Sequence, residues 1–316
     1  MPIPPDDQRP LGSGFGAHTT ADEVLAGVDL TGRTALVTGG YSGIGLEVVR
    51  ALHAAGAAVL VPARRPDLAV EQLAGLERVT VGELDLADQA SVAAYADTVA
   101  RPLDLVILNA GVMACPETRT PEGWELQLAT NHLGHFALVA RLWPRIAEGA
   151  RVVSVSSLGH HHCGMQWDDI WLEQGYTKWG AYGQSKTANV LFAVELDRRG
   201  RDRGVRAFSV HPGAIITPLG RHLTEGDLAD VLVLDADGKA ELPEFKSPEA
   251  GAATSVWAAT SPLLDGRGGL WLEDCDVGPW AAENGLNAVG VKRYAKDPAE
   301  AERLWAWSVE QTGVDL

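Results

Sequence analysis

Two segments far apart in the chain carry residue types suited to redox and proton chemistry: Thr38-Gly39-Gly40-Tyr41-Ser42-Gly43-Ile44-Gly45 and Tyr182-Gly183-Gln184-Ser185-Lys186. In the second, a phenol and an ammonium stand four positions apart, so on a helix they share one face. A free tyrosine has a pKa of ~10, a poor match for proton exchange near neutrality. Lowering it by ~3 units requires roughly 4 kcal/mol in favour of the phenolate. A cation ~4 Å away at an effective dielectric of ~20 supplies about that much, and Lys186 is the expected source. In the first segment Gly39 allows a tight turn, Gly43 lets the backbone approach a phosphate, and Gly45 lets a helix pack closely on a strand. N–H groups and the dipole at a helix start favour a pyrophosphate, with Tyr41, Ser42 and Ile44 in the same cradle. A dinucleotide beside a proton donor implies hydride transfer to or from a carbonyl.

The elements needed to position these groups are legible around them. Thr34-Ala35-Leu36-Val37 reads as a buried strand, and Leu46, Val48, Val49, Leu52 and Ala55 fall at helical spacing after the glycines. Ala57-Ala58-Val59-Leu60-Val61 reads as a second strand. An NAD-preferring site usually carries an acid roughly 20 positions beyond the glycines, to bond the ribose 2′-hydroxyl. Arg64 and Arg65 stand there instead, and the nearest acid is Asp67. Guanidiniums pair bidentately with phosphate and stack on adenine, so NADP(H) is expected over NAD(H).

From these motifs and their order the chain resembles the short-chain dehydrogenase/reductase family over residues 32–276. Asp85-Leu86 follows the third strand, where the family's aspartate contacts adenine. Asn109-Ala110-Gly111 closes the fourth strand and is similar to the family's Asn-Ala-Gly turn. Pro212, Gly213 and Thr217 lie in the loop that contacts nicotinamide in the family. The resemblance implies a catalytic set of Asn131, Ser157, Tyr182 and Lys186. Tyr182 exchanges the proton, Ser157 bonds the substrate oxygen, Lys186 also bonds the nicotinamide ribose, and Asn131 orients a water toward Lys186. It further implies a doubly wound parallel sheet of Rossmann type, which the alternation of strand and helix patterns also favours.

Within the family, Trp167-Asp168-Asp169, Lys178-Trp179 and Gly269-Leu270-Trp271-Leu272-Glu273-Asp274-Cys275 resemble retinol-dehydrogenase-like and related bacterial oxidoreductases. Those act on lipophilic aldehydes, alcohols and ketones with NADP(H). Many NADPH-preferring relatives carry a basic residue in the glycine loop where this chain has Tyr41-Ser42, which leaves phosphate selection to Arg64 and Arg65. Trp167, Trp171, Tyr176 and Trp179, between Ser157 and Tyr182, are candidates to line an apolar or ring-accepting pocket. His160-His161-His162-Cys163 suggests a metal cluster, but adjacent residues rarely converge on one ion, so a loop at the pocket mouth is expected and no metal.

With 316 residues, 46% of them hydrophobic, the chain can bury one large core. A net charge of −16 disfavours nucleic acid or an anionic membrane as partner. Cys115, Cys163 and Cys275 are scattered without a disulfide pattern, and no signal peptide or membrane anchor is evident, so a cytoplasmic location is expected. Residues 1–30 read as an arm with a short helix near Asp22-Glu23-Val24-Leu25. Residues 31–316 read as one catalytic domain with a substrate lid inserted at about 217–247, and residues 298–309 as a late helix. In the family, residues 181–198 correspond to a helix that builds dimer interfaces, which makes a homo-oligomer an option. The leading function is an NADPH-dependent oxidoreductase of an apolar carbonyl or alcohol. An NAD-dependent dehydrogenase, a dinucleotide-sensing regulatory protein and a nucleotide-sugar epimerase stay open as alternatives.

Overall fold

The computed structural model describes residues 8–224, 226–227, 232–235 and 239–316. Residues 1–7 and Val231, the start of one apolar run, lie outside them. The strands are β1 (Thr34–Val37), β2 (Ala58–Ala63), β3 (Val79–Glu83), β4 (Leu103–Leu108), β5 (Ile146–Val155) and β6 (Arg206–His211). Four short pieces follow, β7 (Ala214–Ile215), β8 (Val233–Leu234), β9 (Ala240–Glu241) and β10 (Phe245–Lys246), and then β11 (Leu270–Glu273) and β12 (Asp276–Val277). The helices begin with α1 (Ala21–Val24), α2 (Gly43–Ala54), α3 (Pro66–Gln72), α4 (Gln89–Thr98) and α5 (Leu126–Leu128). They continue with α6 (Gly134–Leu142), α7 (Lys178–Gly200), α8 (Pro248–Thr260) and α9 (Pro298–Thr312).

Eight strands form one sheet in the order β12-β11-β6-β5-β4-β1-β2-β3, parallel throughout except for the antiparallel β11–β12 pair. Side chains alternate between two cores. Ala35 and Val37 of β1 face the layer of α1, α2 and α8, whereas Leu36 faces the layer of α4, α6 and α7. Crossovers run one way from β1 through β2 to β3 and the other way from β4 through β5 to β6. The crevice at the carboxyl ends of β1 and β4 is therefore the topological switch point, where this architecture binds ligands.

Two appended regions are more tightly held than their sequences suggest. In the arm, Gln8 Nε2 donates to the carbonyls of Trp271 and Gly278 at 2.8 and 2.6 Å, and the N–H groups of Leu11, Gly12 and Ser13 donate to the Asp276 carboxylate. The arm thus covers the β11–β12 edge, whose unpaired groups would otherwise be exposed. Helix α1 starts on a Thr20–Glu23 capping box. Helix α9 lies over α7, with Trp305 stacked 5.9 Å from Phe192 and Arg199 over the Trp305 ring. Every residue of α7 from 181 to 197 is buried within one chain. The helix face that the family resemblance offered to a second subunit is already covered.

Candidate active site

The glycine segment forms the turn between β1 and α2. Gly39 and Gly43 have φ of +66° and +53°, in the left-handed region that side chains other than glycine rarely adopt. A Cβ at Gly45 would stand 2.4 Å from both the Gly39 carbonyl oxygen and Asn109 Nδ2. Thr38 Oγ1 accepts from Asn109 N and Ala110 N at 2.9 and 3.0 Å, and Asn109 Nδ2 donates to the Thr38 carbonyl. The turn after β1 is thereby fastened to the Asn109-Ala110-Gly111 turn after β4. Thr217 closes the cradle from above, 3.2 Å from where a Gly43 Cβ would be.

This cradle opens into a cavity of about 730 Å³. Gly39, Tyr41, Ser42, Gly43, Ile44 and Gly45 line it, and so do Arg64, Arg65, Asp85, Leu86, Asn109, Ala110, Gly111, Pro212, Gly213 and Thr217. Arg64 and Arg65 are exposed where β2 gives way to α3, and neither is ion-paired among the described residues. Backbone donors at a helix start, two free guanidiniums and a cleft that tolerates no Cβ fit a nicotinamide dinucleotide.

Ser157, Tyr182 and Lys186 meet on the wall of the same cavity, and Asn131 lies behind them. Ser157 follows β5 and Tyr182 and Lys186 lie on α7, so strand and helix packing brings the trio together. The Ser157 hydroxyl lies near enough to the Tyr182 phenol to act on its ionisation. Lys186 Nζ donates to the Val155 carbonyl at 3.0 Å and lies 5.6 Å from the centroid of the Tyr182 ring. Burial pushes Tyr182 up to about 12, against the lowering effect of Ser157, and pushes Lys186 down to about 8. The expected depression of the phenol by Lys186 is therefore not produced by the protein groups alone. Both charged forms lose hydration in the buried site, and that loss is the largest cause of both shifts. The phenol is held protonated.

Asn131 is buried on a π-helical turn, Ala129–Leu133, that joins α5 to α6. Its Oδ1 accepts from Val112 N at 2.8 Å, and its Nδ2 donates to the Val112 carbonyl and to Ser185 Oγ, both at 2.9 Å. Asn131 thus joins the turn after β4 to α7. The imidazole of His135 bonds its carbonyl at 3.0 Å.

Segment 217–247 supplies the outer wall, with Leu219, Leu223, Val233, Leu242, Pro243 and Phe245 around the cavity. Of the four aromatics expected there, Trp179 alone lines the cavity. Trp171 stacks on Trp124 at 5.8 Å and meets Trp307 of α9. Trp167 donates to Glu300 and lies under Arg303. Tyr176 donates to the Cys115 carbonyl. The insertion braces α9 against the body because its apolar rings find partners on that helix. The histidine run also divides: His160 and His161 are buried, and His162 lines the cavity.

Some contributors escaped the sequence reading. A Cβ at Gly159 would stand 2.6 Å from Tyr182 Cε1, and one at Gly183 would stand 2.8 Å from His162 Cβ. These glycines let the Ser157 turn lie directly on α7 beside Tyr182. Gly159 has no positive φ and no repeating neighbour, so nothing local marks it. Leu286 comes from a late loop and also lines the cavity.

Residues 33–228 match the short chain dehydrogenase family. The chain is 45% identical over 293 residues to a probable oxidoreductase of Streptomyces lividans, covering 90% of this chain and 98% of that one. It is 34% identical over 300 residues to retinol dehydrogenase 11 of Mus musculus, covering 92% and 89%. A crystal structure of an uncharacterised protein from Mycobacterium paratuberculosis superposes with a TM-score of 0.73 at 34% identity, covering 94% and 98%. A blue fluorescent protein from a metagenomic library, solved with NADPH, superposes with a TM-score of 0.62 at 25% identity, covering 78% and 97%. No helix among the described residues is long and apolar enough to cross a membrane.

Proposed function

The chain belongs to the short-chain dehydrogenase family of oxidoreductases, and from that premise we propose that it reduces an apolar or ring-bearing carbonyl with NADPH. The observation that carries this reading is the Ser157–Tyr182–Lys186 trio on the wall of the cavity that also holds the glycine cradle and two arginines with no ion-pair partner among the described residues. NADPH, when bound, supplies the hydride. The cradle residues would hold its pyrophosphate, and Arg64 and Arg65 its 2′-phosphate, a reading supported by the NADPH complex of the metagenomic neighbour. Asp85 and Leu86 would take the adenine, and Pro212, Gly213 and Thr217 the nicotinamide side.

Tyr182 then donates its phenolic proton to the substrate oxygen, and Ser157 Oγ bonds that oxygen as charge develops. Reduction needs the phenol protonated, as a tyrosine is near neutral pH, whereas alcohol oxidation needs the phenolate. Lys186, with its pKa lowered to about 8, is charged at neutral pH and offsets negative charge left on Tyr182. Asn131 keeps the turn at Val112 and helix α7 in register. Leu219, Leu223, Val233 and Phe245 offer an apolar seat and, as a lid, would exclude water. Three free thiols suit a reducing cytoplasm.

The test is Tyr182→Phe assayed with NADPH against a panel of ring-bearing ketones and aldehydes. We expect unchanged NADPH binding by fluorescence titration and a reduction rate lower by about 10²–10⁴-fold. Turnover surviving at a tenth of the wild-type rate would overturn the assignment of the proton donor.

A further inference from the structure

Ser157 is held from behind by a histidine that never faces the cavity. Its carbonyl accepts from His160 N at 3.0 Å and from His160 Nδ1 at 2.7 Å. The other ring nitrogen, Nε2, accepts from the backbone N–H of Lys292 at 3.1 Å. A ring nitrogen that accepts from a peptide N–H carries no proton, so Nδ1 is the protonated one and donates to Ser157. The ring is fully buried, 4.3 Å from His161 and 4.7 Å from Trp271 between centroids, and burial keeps it neutral.

His161 grips the same late segment. Its Nδ1 accepts from Asn287 N at 3.1 Å and its Nε2 donates to the Gly290 carbonyl at 3.0 Å. The ammonium of Lys292 closes that segment into a ring by donating to the carbonyls of Ala282, Glu283 and Gly285 and to Asn287 Oδ1. From this ring, Leu286 lines the cavity. Its carbonyl accepts from Leu234 N of β8 at 2.7 Å, and Ala288 N donates back to the Leu234 carbonyl at 3.0 Å.

We propose that His160 is a positioning residue for carbonyl reduction: it sets the backbone of Ser157 and ties it to segment 286–292, which walls the substrate side and carries β8. The inference rests on the reading of Ser157 as donor to the substrate oxygen. A carbonyl compound seated against Leu286 bears on the same segment that orients this serine. Cofactor binding, at the other end of the cleft, is outside the connection.

The test compares His160→Phe, which keeps a ring but removes both bonds, with His160→Asn, whose amide N–H can stand near the Nδ1 position. His160→Phe is expected to lower kcat for reduction by about 10²-fold with NADPH affinity unchanged, as a small misplacement of a catalytic group does. His160→Asn is expected to recover most of that loss. In a Ser157→Ala background His160→Phe should cause no further loss, because it acts through the serine. His160→Phe turning over like wild type, His160→Asn as damaged as His160→Phe, or an equal loss without the serine would each overturn the proposal. If His160→Phe does not fold, the His160→Asn and His160→Gln pair decides: Gln moves the donor by one methylene, so Asn must exceed Gln in kcat, and equal values overturn it. Ser157→Ala at full turnover would sink the catalytic reading itself. An inactive Ser157→Ala beside an unimpaired His160→Phe would sink only this inference.

Discussion

The two ends of the cleft are built by opposite means. The end proposed for the cofactor is made of short stretches in which backbone geometry shapes the cradle: positive-φ glycines, a helix start, and a threonine that fastens two adjacent strand ends. The substrate end is assembled from the Ser157 turn, the start of α7, segment 217–247 and the loop around Leu286, which are remote in sequence. Side chains such as His160, His161 and Lys292 hold those pieces together. The first kind of site leaves little room for variation because a single Cβ destroys it. In the second kind the walls can change while the fastening persists, which suits a fold that takes many substrates.

The largest expected effect falls on the cofactor end. Gly45→Val places atoms against the Gly39 carbonyl and Asn109 Nδ2, neither of which can withdraw. NADPH binding should fall below detection in a titration, with stability lower by about 1–3 kcal/mol from overpacking. Gly159→Ala puts a methyl group against the Tyr182 ring at the other end. Its kcat should fall by about 10²-fold while NADPH still binds. If both variants lost cofactor affinity alike, the division of the cleft into two independently built ends would fail.

The same division explains what could be read from the chain. Gly39, Gly43 and Gly45 announce themselves because the strand–turn–helix unit they serve is contiguous, and Tyr182 and Lys186 because they sit one helical turn apart. Gly159 and Leu286 could not be found this way. The constraint on Gly159 is a ring 23 positions later, and Leu286 reaches the cavity only because His161 and Lys292 fold its loop back. The aromatics before Tyr182 misled for a related reason. A tryptophan is equally suited to a pocket and to a core, and α9, which claims Trp167 and Trp171, lies more than a hundred residues further on. Residues 1–30 read only as an arm, without a docking place, because the partner of Gln8 is the distant sheet edge.

A smaller effect sharpens the contrast at the cofactor end. Arg64→Ala removes one exposed guanidinium, so screening by solvent limits the loss. NADPH affinity should drop by about tenfold and NADH affinity should stay as it was, measured by parallel titrations. Equal losses for the two cofactors would mean that the arginine does not meet the 2′-phosphate.

The smallest effect probes the substrate end at its margin. Lys178, in the first turn of α7, pairs with Asp227 in segment 217–247, and Asp227 also accepts from Thr224 N and Oγ1 at 2.6 and 2.8 Å. The Lys178 bond and the Thr224 bonds together hold the Asp227 carboxyl down at about 2, so the pair persists across the working pH range. Lys178→Met cuts the tie between α7 and Asp227 but leaves the Thr224 turn whole. Its KM for the carbonyl substrate should rise by about twofold to threefold, as befits one partly exposed ion pair, with kcat and NADPH affinity unchanged. Asp227→Asn, which weakens both the tie and the turn, should raise KM further. A fall in kcat of the size expected for His160→Phe would instead show that Asp227 bears on Ser157 through α7 as well as through the Leu286 loop, and the proposed substrate end would have two fastenings rather than one.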